Sequence, residues 1–165
     1  MTSKEKREVL NELMNIEFKA HYYYMQASSW AASHNLEGCH SFLLGHAREE
    51  YSHVMRIFKY LVDLGEDATF SDLSAPIIDA NDVAGLFSSV YKNECDVTRA
   101  YDKAILFSLD KKDNQLFSFL QWFINEQDEE MTLCRRILDK IKLIGSGDHA
   151  IYLFDQEMEK LADKN

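Results

Sequence analysis

Apolar residues fall along this chain in four long stripes whose steps alternate between three and four residues. The first runs Leu10, Leu13, Ala20, Tyr24, Ala27, Ala31, and the second Cys39, Leu43, Ile57, Tyr60, Leu64. The third runs Val83, Phe87, Val90, Val97, Tyr101, Ala104, and the fourth Leu116, Leu120, Phe123, Cys134, Ile137, Ile141, Ile144. Side chains at that spacing share one face of a helix. The pattern predicts helices over about 4–33, 37–64, 82–110 and 113–144. A short amphipathic helix follows over about 148–162, after the break at Gly145-Ser146-Gly147. The turns carry suitable chemistry: Asn35 and Gly38 at the first, Gly65 closing the second helix, and Lys111-Lys112-Asp113-Asn114 at the third. Asp79, Asn81 and Asp82 are candidate caps for the third helix.

Each stripe is broken near its middle by a metal-binding type of side chain: Glu17 in the first, Glu50 with His53 in the second, Glu94 in the third, Gln127 with Glu130 in the fourth. Glu17 and Glu50 stand 33 residues apart, as do Glu94 and Gln127. The midpoints of both pairs fall in predicted turns. Residues equidistant from the turn of an antiparallel helical hairpin lie at one height, so all the interruptions share one level. The two hairpins read as copies of one unit offset by 77 residues. The connection between helices two and three is too long for an antiparallel turn, which takes ~2–8 residues. About 16 extended residues reach ~50 Å, whereas a helix of about 28 residues is ~42 Å long. The connection can therefore cross the whole bundle and leave helices two and three parallel. The expected fold is all-α: a single domain over 1–165, formed by a four-helix bundle with one long crossover plus a short C-terminal fifth helix.

Composition narrows the class. The chain has 165 residues, with 18 Lys plus Arg against 28 Asp plus Glu and a formal net charge of −10. That argues against a nucleic-acid partner and suits attraction of cations. One Pro and six Gly are too few for many tight turns. No apolar run approaches the ~20 residues of a membrane span, and residues 1–8 lack the apolar core of a signal peptide. A cytoplasmic location is the expectation, and three cysteines, Cys39, Cys95 and Cys134, fit a reducing compartment as free thiols.

Buried carboxylates repel one another unless a cation compensates them. Glu50-Tyr51-Ser52-His53 places a carboxylate and an imidazole on one helix face. Glu17, Glu50, Glu94 and Glu130 together carry four negative charges, which two divalent ions would balance. Oxygen-rich ligation with one imidazole suits Fe(II) or Mn(II). Tyr24, two turns beyond Glu17, is either an electron donor beside the metal or a hydrogen-bonded core residue. Glu49, Glu126 and Glu129 form a second acidic group beside the first. They read either as ligands to a third ion or as a solvated helix face.

On these residues the chain resembles the bacterial non-haem ferritins along essentially its full length. The match lies in Glu17, Tyr24, Glu49-Glu50-x-x-His53, Glu94, and Trp122 through Glu126-Gln127-x-Glu129-Glu130, with the long second connection and the short last helix. The resemblance implies a ferritin-like fold with a two-iron ferroxidase centre. The first metal would be held by Glu17, Glu50 and His53, and the second by Glu50, Glu94 and Glu130, with Gln127 lining the centre and Tyr24 beside it. It implies a third iron site at Glu49, Glu126, Glu129 and Glu130. It further implies oxidation of Fe(II) by O2 or H2O2, storage of the Fe(III) mineral, and a hollow homo-24-mer.

The departures separate relatives. Bacterioferritin-like and oxygenase-like proteins carry Glu-x-x-His twice, but the second copy here reads Gln127-Asp128-Glu129-Glu130. Tyr51 stands where bacterioferritin has its haem-ligating Met, so no haem is expected. The mini-ferritin of starved cells lacks the last helix and builds its site between subunits, whereas here one chain can supply every ligand. Two other readings stay open: a di-iron peroxidase or oxygenase without storage, and a non-catalytic metal-binding bundle. Tyr22, Trp30 and Phe42 are candidate subunit contacts. Of the remaining histidines only His46, one turn before Glu50, lies on a stripe.

Overall fold

The computed structural model describes residues 2–163. It contains α1 (Ser3–Ser33), α2 (Glu37–Asp63), α3 (Val83–Asp110), α4 (Asn114–Ile144) and α5 (Asp148–Ala162). Among the described residues there is no strand. Antiparallel pairs α1/α2 and α3/α4 pack into a bundle, α1 meets α3, and α5 lies against α2 and α4. No helix is long and apolar enough to cross a membrane, among the described residues.

Local chemistry sets the helix ends. Thr2 and Glu5 form a reciprocal capping box at the start of α1. Asp82 accepts from Gly85 N at 2.7 Å and Asp113 from Leu116 N at 2.9 Å, starting α3 and α4. Asn35 and Lys112 take positive φ (58° and 54°) in the two tight turns. The crossover runs along α1, held by two asparagines of that helix. Asn11 Oδ1 accepts from Thr69 N (2.7 Å) and its Nδ2 donates to Asp67 O (3.1 Å). Asn15 Oδ1 accepts from Ser71 N (2.9 Å) and its Nδ2 donates to Thr69 O (2.8 Å). These bonds satisfy backbone groups that no regular structure would pair.

The start of α2 has no side-chain cap of its own, since Leu36 occupies the N-cap. Asp155, from α5, supplies it: its carboxylate accepts from Gly38 N (3.0 Å) and Cys39 N (2.8 Å). A negative group there also suits the positive end of the helix dipole. The approach is close enough that a Cβ on Gly38 would lie 1.9 Å from the Asp155 carbonyl oxygen. Gly38→Ala is therefore expected to force α5 outward and to cost about 1–3 kcal/mol. Urea unfolding of the variant against the parent checks this; an unchanged midpoint would show that α5 yields without loss.

The apolar core is divided. One cluster, at the α5 end, includes Tyr24, Leu36, Cys39, Phe42, Leu43, Phe87, Phe154 and Met158. The other, at the opposite end, includes Leu10, Leu13, Met14, Ile57, Tyr101, Leu116, Leu120 and Phe123. Between them lies the polar layer. Phe42, expected as a subunit contact, is instead buried, with its ring against His46 (4.3 Å) and Phe87 (6.3 Å). Its position beside the α2 stripe turns it inward once α5 covers that end. Tyr22 is exposed.

Candidate metal centre

Four helices bring Glu17 (α1), Glu50 and His53 (α2), Glu94 (α3), and Gln127 and Glu130 (α4) to one level. All six are buried. The layer follows from the stripes: each residue holds a core position, so helix packing carries it inside whatever its polarity.

Glu17, Glu50 and His53 form a fully buried group, with one ligand atom from each within 4.8 Å of the others. His53 Nδ1 lies 3.1 Å from Glu50 Oε2 and 3.7 Å from Glu17 Oε2. The His53 ring is fixed edge-on against Trp122 (5.3 Å) and Phe123 (5.9 Å). The Arg56 guanidinium caps the outer face of Trp122 at 4.1 Å, a cation–π contact. Glu94 stands outside the group, with both oxygens engaged. Tyr24 donates to Oε1 at 2.6 Å and Gln127 Nε2 to Oε2 at 3.1 Å. Gln127 Nε2 also donates to Thr98 Oγ1 at 3.2 Å. Where the repeated Glu-x-x-His motif would place its second glutamate, an amide thus orients a carboxylate, and Glu130 stands at the histidine position.

The electrostatics are those of a site built for a cation. Burial, with the charge of Glu17, pushes Glu50 well above the usual carboxylate range despite its bond from His53. Burial also lifts Glu94 to about 7, against the stabilising bond from Tyr24. Burial opposes the charged form of His53, but the adjacent carboxylates of Glu17 and Glu50 outweigh this and carry it up to about 11. The protein is thus partly compensating the layer with protons. Two buried carboxylate oxygens, Glu17 Oε2 and Glu130 Oε2, have no hydrogen-bond partner. Orphaned buried acceptors are costly, and a divalent cation is the partner that would satisfy both. The residues present fit such an ion.

The second acidic group divides in an unexpected way. Glu130 joins His46 and Glu49, while Glu126 joins Glu49 and His53. His46 Nε2 lies 3.3 Å from Glu130 Oε2, and its Nδ1 is 3.2 Å from the Phe42 carbonyl. With Nδ1–H donated to that carbonyl, Nε2 is the nitrogen turned toward the carboxylates. Exposed Glu129 lines, with His46, Glu49 and Glu130, a pocket of about 420 Å³. Glu49 therefore stands between the buried triad and the pocket. Burial raises the pKa of Glu126, offset in part by the nearby charge of His53.

Sequence reasoning missed Tyr101. It is buried, its hydroxyl donates to Glu17 Oε1, and its ring stacks on Phe123 at 5.0 Å. The signal was present: Tyr24 and Tyr101 are separated by the same 77 residues as Glu17 and Glu94.

A four-helix bundle with one crossover, and a buried carboxylate–histidine layer at mid-height, defines the class of helical proteins that hold metals between facing helices. The sequence profile of the ferritin-like domain matches residues 7–144, and this chain belongs to that ferritin family. It is 34% identical to the bacterial non-heme ferritin of Escherichia coli O157:H7 over 165 residues, all of both chains. It is 35% identical to that of Campylobacter jejuni over 162 residues, covering 98% of this chain and 97% of the other. An open-pore ferritin from the hyperthermophilic archaeon Archaeoglobus fulgidus superposes with a TM-score of 0.92 at 27% identity, over 96% of this chain and 98% of its own.

Proposed function

We propose that this protein is an iron-storage ferroxidase: it binds Fe(II) in the buried layer, passes electrons to O2 or H2O2, and delivers Fe(III) to a mineral inside a hollow homo-24-mer. The observation that carries this reading is the buried Glu17–Glu50–His53 group, in which Glu17 Oε2 has no hydrogen-bond partner; Glu130 Oε2 likewise has none, with only His46 Nε2 facing it at 3.3 Å. A purely structural polar layer would pair them. A cation between helices satisfies them and cancels the repulsion that otherwise lifts Glu50 and Glu94.

In this reading Glu17, Glu50 and His53 hold one iron. Glu50, Glu94 and Glu130 hold the second, with Gln127 keeping Glu94 turned toward it. Tyr24, bonded to Glu94, is placed to supply an electron and a proton. Glu49, Glu126, Glu129 and Glu130 form a third station, which lies toward the pocket and suits onward movement of Fe(III). The ligands orient the substrate ions and set their potential, and no haem is required. Exposed apolar side chains, among them Tyr22, Met25, Tyr152 and Leu153, suit burial between subunits of a shell. The acidic surface and free thiols agree with work in the cytoplasm.

Loading the metal-free protein with Fe(II) under air tests the proposal. Rapid oxidation, with far more iron retained than the ligands could bind, is expected. Oxidation that stops at two irons per chain with no mineral would instead favour a non-storage di-iron oxidase. No oxidation would leave only a metal-binding bundle.

A further inference from the structure

The two halves of the bundle repeat a tyrosine as well as a carboxylate, and the repeat is crossed. Tyr24 follows Glu17 by seven residues and Tyr101 follows Glu94 by seven. Yet Tyr24 donates to Glu94 Oε1, and Tyr101 donates to Glu17 Oε1. Each phenol reaches across to the carboxylate of the other half. Both side chains are 0% exposed. They lie on opposite sides of the polar layer, Tyr24 in the cluster at the α5 end and Tyr101 in the other.

Glu17 therefore has two faces. Oε1 accepts the hydrogen bond of the Tyr101 hydroxyl, while Oε2 has no hydrogen-bond partner and is turned toward His53. The Tyr101 hydroxyl is one carboxylate away from the Glu17–Glu50–His53 triad, as the Tyr24 hydroxyl is one carboxylate away from its own side. A phenol releases an electron readily only if its proton has somewhere to go. Tyr101 has that acceptor in place, in a pocket closed to water, with its ring stacked on Phe123.

We infer that Tyr101 is a second electron donor to the centre, matched to Tyr24 through the internal repeat. This rests on the ferroxidase reading above. Reduction of O2 to water takes four electrons, and two Fe(II) ions supply two. Tyr24 and Tyr101 supply one each: O2 + 2 Fe(II) + 2 TyrOH + 2 H+ gives 2 Fe(III) + 2 TyrO• + 2 H2O. At Tyr101 the O–H bond breaks, the proton passes to Glu17 Oε1, and the electron passes to the oxidant. Later Fe(II) restores each phenol: TyrO• + Fe(II) + H+ gives TyrOH + Fe(III). With H2O2 as oxidant, the iron pair supplies both electrons required and neither tyrosine is consumed.

The test is a single turnover of the full-length protein with two Fe(II) per chain and excess O2. Samples are freeze-quenched for paramagnetic resonance, and released H2O2 is assayed in parallel. Y24F is expected to retain a radical at about half the parental yield, as is Y101F, because each keeps one of two donors. Y24F/Y101F should show none and release more H2O2. Growth on ring-deuterated tyrosine should narrow the Y24F signal, marking it as a phenoxyl rather than an indole radical. With H2O2 in place of O2 the radical should be absent. Redox-silent Zn(II) binding to Y101F, if unchanged, separates electron supply from positioning of Glu17. Because Y24F leaves Tyr101 intact, the test survives poor folding of Y101F. Loss of all radical in Y24F, or an unchanged yield in Y101F, would overturn the inference and leave the ferroxidase reading standing. A parent protein that oxidises no iron would overturn both.

Discussion

Glu17→Ala and His53→Ala should each slow Fe(II) oxidation by at least about 100-fold, the scale at which metal sites respond to loss of a ligand or its support. Stopped-flow absorbance of Fe(III) formation reads this directly. Both residues lie in the fully buried group whose ligand atoms lie within 4.8 Å of one another. Alanine at either position removes one of the three donors. Helix content should persist, because the two apolar clusters on either side are untouched. A variant that oxidises iron at the parental rate with its fold intact would remove Glu17 or His53 from the centre.

Glu50→Gln should do the opposite for stability. The metal-free variant is expected to be more stable than the parent, because glutamine removes the cost of desolvating a carboxylate beside Glu17. Glu50 is buried beside Glu17 and Glu94, and burial and those charges raise its carboxyl well above the usual carboxylate range. The pH dependence gives the sign an independent check. Glu50 and Glu94 have folded pKa values raised above the unfolded 4.5, Glu94 to about 7. Their stabilising contribution is complete below the unfolded value and is lost as pH rises through the folded one. His53, raised from 6.5 to about 11, acts in the same direction once pH exceeds 6.5. The surface carboxylates Glu5 and Glu157, lowered to about 2, act in the opposite direction but below pH 4.5, outside this window. Between pH 5 and 8 the metal-free parent should therefore lose stability as pH rises, and Glu50→Gln should flatten the slope. Thermal unfolding at pH 5 and pH 8 decides it. A parent that gains stability over that interval, or a variant that melts lower, would contradict the account. Stability gained here is function lost, as expected where a site keeps like charges together for a ligand.

The helices were legible because periodicity and caps agree. Bounds read from the stripes fall within a residue of those observed, and Asp82 caps α3 as its position suggested, while Asp113, read as a turn residue, caps α4. The common level of Glu17, Glu50, Glu94 and Gln127 followed from hairpin symmetry. What could not be read was interaction between distant segments. The α2 cap comes from Asp155, 117 positions beyond Gly38. The crossover follows α1 because of Asn11 and Asn15, residues that on sequence alone are ordinary polar positions of a helix. His46 meets Glu130 across two helices, and no local pattern announces that. Tyr101 is the instructive case: its stripe placed it in the core, and only the internal repeat marks it as the counterpart of Tyr24.

The division of the core by the polar layer reaches beyond the chemistry. Cooperativity in a small bundle comes from one continuous apolar interior, and here that continuity is broken at mid-height. Without a cation, the two ends of each helix answer to separate interiors and can loosen on their own schedules. An ion shared by residues from facing helices ties those ends into a single unit. On the proposed reading, occupancy would be felt throughout the bundle as rigidity, so that a filled chain and an empty one would differ mechanically as well as chemically.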